Sequence, residues 1–417
     1  MMHRTGDAER WTDEASRSAE KPVYSRAEYA CGITVLTSSE ADAEAFAAKI
    51  ADEARRAGAG FAYLFFSMQT FDAHRLNAAM LKHAPGLEVV GCSTSGEITP
   101  EGIGEGHAMA ILLPARNFTV AAATIENITA AGMDTIVEEV DRLRRQLAEN
   151  TRGKTGQERF AMCLIDGMSF AEEKITAALH WALDDIPLIG GSAGDDLKFE
   201  HTVLISDGKV SDGTAIIMLV STDVPFSIFK TDNFIPTDAK FVVTASDPDK
   251  RTVSELNASA AALEYASAVG KNIAELTQNG FASHPVVVKV GGEFYCRAVR
   301  GILDDGSLVF ACAIDDGVVL TLAEARGMVE TTRTKFEEIE ERLGGIDMVF
   351  GFDCAYRRVD AENRQVIRKM SELYQQHHVI GFGTFGEQYQ SMHLNQTLTG
   401  IAFGRRPKES ALPAAAE

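Results

Sequence analysis

Paired cysteines of the kind that bind zinc or haem are missing from this sequence. Its 417 residues include six cysteines, and none of them forms a Cys-x-x-Cys or Cys-x-x-Cys-His pair. This argues against a thiolate zinc site, a thioredoxin-type redox motif and covalently attached c-type haem. We therefore expect reduced thiols, as in cytoplasmic proteins.

Long hydrophobic runs and an excess of basic charge are missing as well. The longest apolar runs, such as residues 215–220, are far shorter than the ~18 residues of a membrane-spanning helix, and residues 1–21 contain no apolar segment typical of a signal peptide. Lys and Arg number 40 against 60 Asp and Glu, and this net charge of −20 opposes binding to a nucleic-acid backbone. We expect a cytoplasmic protein with no membrane and no nucleic-acid partner.

Three segments of the sequence repeat one another. Each begins with a strand of the buried type, passes through a loop and a helix to a second strand, and reaches a glycine-rich loop. The segments are residues 61–91, 160–190 and 346–381, with spacings of 91 − 61 = 30, 190 − 160 = 30 and 381 − 346 = 35. Another apolar strand follows each loop, so any interpretation of one loop must hold for all three.

Between the second and third copies the pattern changes to apolar runs broken by Gly-Gly and Asp-Asp-Gly, which predicts hairpins and an antiparallel sheet. We place a boundary near Val224 and predict two mixed-sheet domains, 29–224 and 225–404. Segments 1–28 and 405–417 are polar or rich in Pro and Ala, and we expect them to be disordered. The predicted fold class is α/β to α+β, built with repeated units of strand, loop, helix, strand and glycine-rich loop.

The glycine-rich loops match nucleotide-binding loops in spacing only. Gly381, Gly383 and Gly386 form a Gly-x-Gly-x-x-Gly, but too little chain follows to build the second half of a dinucleotide-binding fold. In the P-loop frame, Glu97 and Glu387 stand where a lysine would meet the phosphates, and a carboxylate there would repel them. Nucleotide phosphates are therefore disfavoured.

Two residues are candidate nucleophiles. Ser192 lies in a Gly-x-Ser-x-Gly, but the sequence after it predicts a loop and a strand, not the helix of a hydrolase elbow. Cys92 in the first loop would need a histidine nearby to become a reactive thiolate. A Ser or Cys hydrolase is therefore one interpretation of these residues. The other interpretation is that both are small buried residues.

The repeated loops have a structural and a functional interpretation. Glycines such as Gly91 and Gly96 allow tight turns or close approach of the backbone, and acids such as Glu97, Asp195 and Glu387 would accept hydrogen bonds from loop amides. If the three copies bring their loops together around a cleft, they form a small-ligand site.

Four segments in combination resemble the signature segments of FIST-domain proteins, namely residues 89–98, 188–196, 255–270 and 380–404. The resemblance covers roughly residues 30–404. It implies a signal-transduction sensor with an N-terminal and a C-terminal FIST half and without enzymatic turnover of its own. The ending GFGTFGEQYQSMHLNQTLTG resembles the nitric-oxide-sensing haem branch of the family, often called NosP.

That branch implies a haem b cofactor, nitric oxide as ligand and a sensor histidine kinase as partner, and it leaves room for a homodimer. His393 is the expected haem-iron ligand, because it follows the third loop and has apolar neighbours. The predicted cofactor-binding residues are His393, Gly381, Gly383, Gly386, Glu387, Gly91, Gly96, Glu97 and Asn395. The family also implies amino acids or similar small metabolites as an alternative ligand class.

Overall fold

The structure, a computed structural model, describes residues 23–405 apart from the side chains at 278 and 279. Residues 1–22 and 406–417, which make up most of the two segments expected to be disordered, lie outside this range. Tyr24–Glu28 was included in the first of these segments, but it forms a strand. Tyr24 stacks on Phe46 and Arg26 pairs with Glu53, so this short segment has both apolar and ionic partners.

The first repeat contains seven strands and two helices. They are β1 (Tyr24–Glu28), β2 (Thr34–Ser38), α1 (Ala43–Ala57), β3 (Ala59–Phe66), α2 (Ala73–His83), β4 (Glu88–Ser93), β5 (Glu97–Thr99), β6 (Gly102–Gly104) and β7 (Ala108–Pro114). Asp42 and Asp72 precede the two helices, and their side chains accept hydrogen bonds from the first-turn amides, which fixes where each helix begins.

The second repeat has the same order of elements. They are β8 (Phe118–Ile125), α3 (Met133–Asn150), β9 (Glu158–Ile165), α4 (Glu172–Leu183), β10 (Leu188–Ser192), β11 (Leu204–Ser206), β12 (Lys209–Ser211) and β13 (Ala215–Thr222). Helix α3 presents Ile136, Val140, Leu143 and Leu147 on one buried face, as its apolar period requires.

The third repeat is interrupted after its first strand, β14 (Phe226–Thr231), by residues 234–325, which we call the insert. The insert comprises β15 (Phe234–Asp247), β16 (Thr252–Leu256), β17 (Ser259–Ala260), α5 (Ala261–Ala268), α6 (Gln278–Ser283), β18 (Val286–Val290), β19 (Glu293–Arg297), β20 (Val299–Ile302), β21 (Leu308–Phe310) and β22 (Val319–Ala325). Its strands form one antiparallel sheet in the order β19-β18-β22-β15-β16-β21-β20, with β17 on β16.

After the insert the third repeat resumes. Its remaining elements are α7 (Met328–Leu343), β23 (Ile346–Cys354), α8 (Ala355–Asn363), α9 (Ile367–Gln376), β24 (Val379–Thr384), β25 (Glu387–Tyr389), β26 (Met392–Leu394) and β27 (Leu398–Gly404). The three repeats together form what we call the body of the protein.

Each repeat builds a mixed four-stranded sheet, in the orders β2-β7-β3-β4, β8-β13-β9-β10 and β14-β27-β23-β24. The last two strands of each order are parallel and the other neighbours are antiparallel. This mixed α/β content confirms the predicted fold class.

The short hairpin that follows each glycine-rich loop leaves its own sheet. Hairpin β5–β6 pairs with β24 of the third repeat, β11–β12 with β4 of the first, and β25–β26 with β10 of the second. Each repeat therefore gives one hairpin to a neighbour and receives one from the other. The predicted boundary near Val224 lies between β13 and β14, and this exchange crosses it in both directions.

The three sheets face one another across a common core. Side chains from all three inner faces form one cluster, in which Phe65 stacks on Phe382 at 4.4 Å between ring centroids and Tyr63 meets Phe350 edge-on at 5.3 Å. The helices cover the outer faces and form a separate core with each sheet. Within residues 23–405, no helix is long and apolar enough to cross a membrane.

Candidate functional site

The three glycine-rich loops meet at one end of the body. The bonds between them are Ser95 N–Gly383 O (2.8 Å), Gly383 N–Gly96 O (2.8 Å), Ser192 N–Gly386 O (2.8 Å) and Gly194 N–Ser93 O (3.0 Å). Each loop is thus bonded to both of the others. The loops follow β4, β10 and β24, and these three strands end at the same level of the common core.

The glycines of these loops allow close packing of backbone on backbone. A Cβ on Gly91, Gly190 or Gly381 would lie 1.8–2.1 Å from a carbonyl oxygen of the neighbouring parallel strand. A Cβ on Gly383 would lie 2.2 Å from the carbonyl oxygen of Ser95. At these positions the backbone of another strand or loop approaches the glycine closely, which explains why glycine is needed there.

The acids Glu97 and Glu387 are buried and bonded within the loops. The contacts are Thr94 Oγ1 to Glu97 (2.5 Å), the His107 amide to Glu97 (3.0 Å), Thr384 Oγ1 to Glu387 (2.5 Å) and Thr397 Oγ1 to Glu387 (2.7 Å), the carboxyl oxygens accepting throughout. Burial raises the pKa of Glu387 to about 8. Glu97 thus connects the first loop to the start of β7. Glu387 connects the third loop to the start of β27 in the same way.

His393, the expected haem ligand, is only 3% exposed in β26. Its Nδ1 lies 3.3 Å from the side-chain amide of Gln388, while its Nε2 is buried and has no hydrogen-bond partner within residues 23–405. Burial lowers the pKa of this imidazole, which keeps it neutral. Iron ligation would use the Nε2 atom of this neutral ring.

On the side of Gly386, the space beside His393 does not fit a haem. The ring packs on Gly386, where even a single added carbon would lie 2.9 Å from Nε2. A macrocycle on that side would require the β25–β26 hairpin to separate from the third loop. Within residues 23–405, no group of three or more His, Cys, Asp or Glu side chains is placed to hold a metal ion.

The two candidate nucleophiles are enclosed by the body. Cys92 is fully buried, and this burial raises the pKa of its thiol well above the usual value. Ser192 is also fully buried, and its Oγ accepts a hydrogen bond from the amide of Gln388 at 3.0 Å. In these surroundings neither group is prepared for attack on a substrate.

A pocket that sequence reasoning missed lies between the loops and the insert. Its lining consists of Gly167, Glu172, Leu197, Phe199, Arg251, Ala298, Arg300, Ala311, Cys354, Ala355, Tyr356, Thr384, Phe385 and Asn395. The space between these atoms, including the part that is open to solvent, is about 380 Å³. Of the predicted site residues, only Asn395 lines this pocket, where its Oδ1 accepts from the amide of Ala298 at 3.4 Å.

Two polar groups of the pocket form no hydrogen bond with any described residue. The half-buried guanidinium of Arg300 lies 4.2 Å above the ring of Phe199, and it makes no hydrogen bond or ion pair with any described residue. Burial lowers the pKa of Arg300. The hydroxyl of Tyr356 is buried and has no hydrogen-bond partner among the described residues either. A cation and a donor without acceptors are suited to an anionic group such as a carboxylate.

The loop that carries Leu197 and Phe199 into the pocket is strained. Asp196, Leu197 and Phe199 adopt φ values of 57°, 63° and 56°, a left-handed region unfavourable to such side chains. The carboxylate of Asp195 holds the loop by accepting the amides of Phe199 (2.8 Å), Glu200 (2.6 Å) and His201 (3.0 Å). Asp195 thus accepts loop amides, as its position in the sequence predicts. Strain of this kind is typical of ligand-binding loops.

The opposite wall of the pocket is fastened to the body by an ion-pair cluster. Arg251 of the insert is 2% exposed, and its Nη2 lies 2.6 Å from both Glu172 and Glu173 in the first turn of α4. Glu173 also accepts the amide of Ala313 at 2.9 Å. The pocket therefore combines an ion-paired cation, Arg251, with a second cation, Arg300, that forms no ion pair with any described residue.

Two family models match the chain. The FIST N domain matches residues 60–259, and the FIST C domain matches residues 261–390. Together they cover residues 60–390 except for residue 260. The junction between the two matches lies at β17, inside the insert. No curated protein matches the chain.

Proposed function

We propose that this chain, which belongs to the FIST-domain proteins, is a sensor that binds a small organic carboxylate in the pocket between the loops and the insert. The observation that carries the proposal is the guanidinium of Arg300, which faces the pocket and forms no ion pair with any described residue. Amino acids and similar metabolites belong to this ligand class.

The chemistry of the pocket supports this ligand class. A half-buried cation is costly without an anion, and a carboxylate matches the paired N–H groups of Arg300. The unpartnered hydroxyl of Tyr356 supplies one further donor. Leu197, Phe199 and Phe385 offer an apolar surface for the rest of the ligand.

The test compares small carboxylates with their primary amides in thermal-shift and calorimetric titrations, beginning with the amino acids. We expect a binding carboxylate at a hundred times its dissociation constant to stabilise the protein by about 2.7 kcal/mol, and its uncharged amide to have no effect. Arg300→Met should abolish the stabilisation. Arg368→Met is the control, because the side chain of Arg368 is 90% exposed. Equal binding by both variants would contradict the proposal.

Haem is the second candidate ligand, favoured by the unpartnered Nε2 of His393. With haem, the protein would serve as the nitric oxide sensor implied by the resemblance. An absorption spectrum after incubation with haem separates the two candidates. A Soret band lost in His393→Ala favours haem, and a colourless protein stabilised by a carboxylate favours the first proposal.

The signalling partner belongs to the same proposal. A sensor histidine kinase would read the ligand state of the protein, as the resemblance to the nitric-oxide-sensing branch implies. Co-purification of the two proteins, with kinase autophosphorylation measured with and without ligand, tests this step.

A further inference from the structure

The pocket is narrow in this arrangement. The centre of a water molecule has only about 20 Å³ available inside it. That space holds about one water molecule, whereas an amino acid is several times larger. One wall must therefore move before the pocket accepts a ligand.

The wall formed by the body is held firmly. Its loops are bonded to one another, and a Cβ on Gly167 would lie 2.1 Å from the carbonyl oxygen of Ala193. Phe385 in the third loop is stacked on Phe199 with 4.5 Å between ring centroids. Moving this wall would disturb all three loops at once, since interiors packed this closely transmit strain.

The insert is built to move as a unit. It has a hydrophobic core of its own, and every member of that cluster lies between residues 239 and 322. The chain enters the insert at Asn233 and leaves it at Arg326, and the amide of Arg326 donates to the carbonyl oxygen of Asn233 at 2.5 Å. The two connections thus run side by side and form a single hinge.

The contacts that hold the insert on the body are mainly polar. Besides the Arg251 cluster, the amide of Ala298 donates to Asn395 at 3.4 Å, and Ser283 donates to Asp360 at 3.0 Å. The apolar part of this contact is a cluster in which Ala282, Ala298 and Ala311 of the insert meet Cys354, Tyr356 and Val359 of the body. This cluster is smaller than the core of the insert, so separation costs less hydrophobic free energy than unfolding of the insert.

Helix α8 connects the pocket with the hinge. Tyr356 in its first turn lines the pocket, and the next residue, Arg357, is 1% exposed and donates from Nη1 to Oδ1 of Asn233 at 3.0 Å. The same guanidinium bonds to Asp353 and to Thr332 of α7. A displacement of Tyr356 by a ligand would therefore reach the hinge through one residue.

We infer that the insert is a hinged lid over the pocket, and that α8 couples occupancy of the pocket to the hinge at Asn233 and Arg326. This inference depends on the proposed function in one respect, namely that the pocket is the ligand site. The lid opens to admit the ligand, and the changed position of the insert is the signal. Binding the ligand shifts the equilibrium between two placements of the insert.

Native-state hydrogen exchange tests the lid without any ligand, in the full-length protein at increasing sub-denaturing urea. The amides of Ala298 and Ala313 report docking, because both donate to body side chains. The amide of Val243 reports the interior of the insert, and that of Gly383 the body. We expect the two docking amides to exchange at least tenfold faster than the other two, with little dependence on urea.

A pair of variants tests the coupling through α8. Asn233→Ala removes the hinge acceptor of Arg357, and we expect about tenfold faster exchange at Ala298 and Ala313. Thr332→Val removes another acceptor of Arg357 that lies within the body, and it should leave both rates unchanged.

The outcomes distinguish the parts of the inference. If all four amides exchange only by global unfolding, the lid does not exist. If both variants change the docking amides equally, or neither does, the coupling through α8 is wrong. Failure of every carboxylate to bind would overturn the proposed function and would leave the exchange result standing.

Discussion

At the scale of single residues, the pocket depends on side chains that are left without partners in the folded protein. Tyr356→Phe removes a hydroxyl that forms no hydrogen bond in the part of the chain that the structure describes. We therefore expect unchanged stability in urea denaturation, together with about tenfold weaker carboxylate binding, the effect of one lost hydrogen bond to a charged group.

Tyr265→Phe is the matched control for Tyr356→Phe. The hydroxyl of Tyr265 donates to the carbonyl oxygen of His284 at 2.5 Å. Its removal should lower the free energy of unfolding by about 1 kcal/mol and leave binding intact. If Tyr356→Phe were the more destabilising of the two, Tyr356 would have a structural role.

The buried carboxyl of Glu387 makes stability depend on pH. Its folded pKa is about 8, above the unfolded value near 4.3, so between these pH values the folded state retains a proton that the unfolded state has lost. Its contribution to stability is fully present below about pH 4 and is lost as pH rises through 8, by about 1.4 kcal/mol per pH unit.

We expect Glu387→Gln to flatten this dependence in urea denaturation between pH 5 and pH 8. Its stability relative to the wild type should increase with pH. Glu149→Gln is the control, because Glu149 is exposed. A slope unchanged by Glu387→Gln would show that another group titrates.

Sequence reasoning anticipated part of the site at this scale. The role of Asp195 follows from an acid placed at the end of a glycine-rich loop. Arg300 and Tyr356 carried no such signal, because they lie 56 residues apart (356 − 300) in segments that only the folded insert brings together.

At the scale of secondary-structure elements, the repeated glycines limit how closely the parallel strands pack. Gly381→Ala would place its Cβ 1.8 Å from the carbonyl oxygen of Gly351. Because backbone cannot move aside as a flexible side chain can, we expect a loss of about 3 kcal/mol in urea denaturation. Gly60→Ala is the control, since its nearest neighbour lies at 3.9 Å. Equal effects would refute this account of the repeat.

The repeats themselves were predictable from sequence, because the strand, helix and loop pattern recurs at nearly constant spacing. The exchange of hairpins was not. A hairpin such as β25–β26 has the same apolar pattern whether it pairs with β24 or with β10, and local sequence does not distinguish its own sheet from a neighbour's.

At the scale of the whole molecule, the exchange makes the two predicted domains depend on each other. Residues 29–224 alone lose β25, the partner of β10, and residues 225–404 alone lose β5, the partner of β24. We expect each fragment to show reduced stability by circular dichroism and size-exclusion chromatography, and mixing the two to restore the stability of a complex. Independent folding of residues 29–224 with full cooperativity would contradict this expectation.

The same hairpin sets the timing of folding on the ribosome. Strand β10 ends at Ser192, and its edge partner β25 begins at Glu387, 387 − 192 = 195 residues later. At the usual rate of synthesis these residues take about 10–40 s to make. Throughout this interval the unpaired edge of β10 is a template for pairing with other chains. The sheet of the second repeat is therefore completed only when β25 and β26 have been made, long after its own four strands.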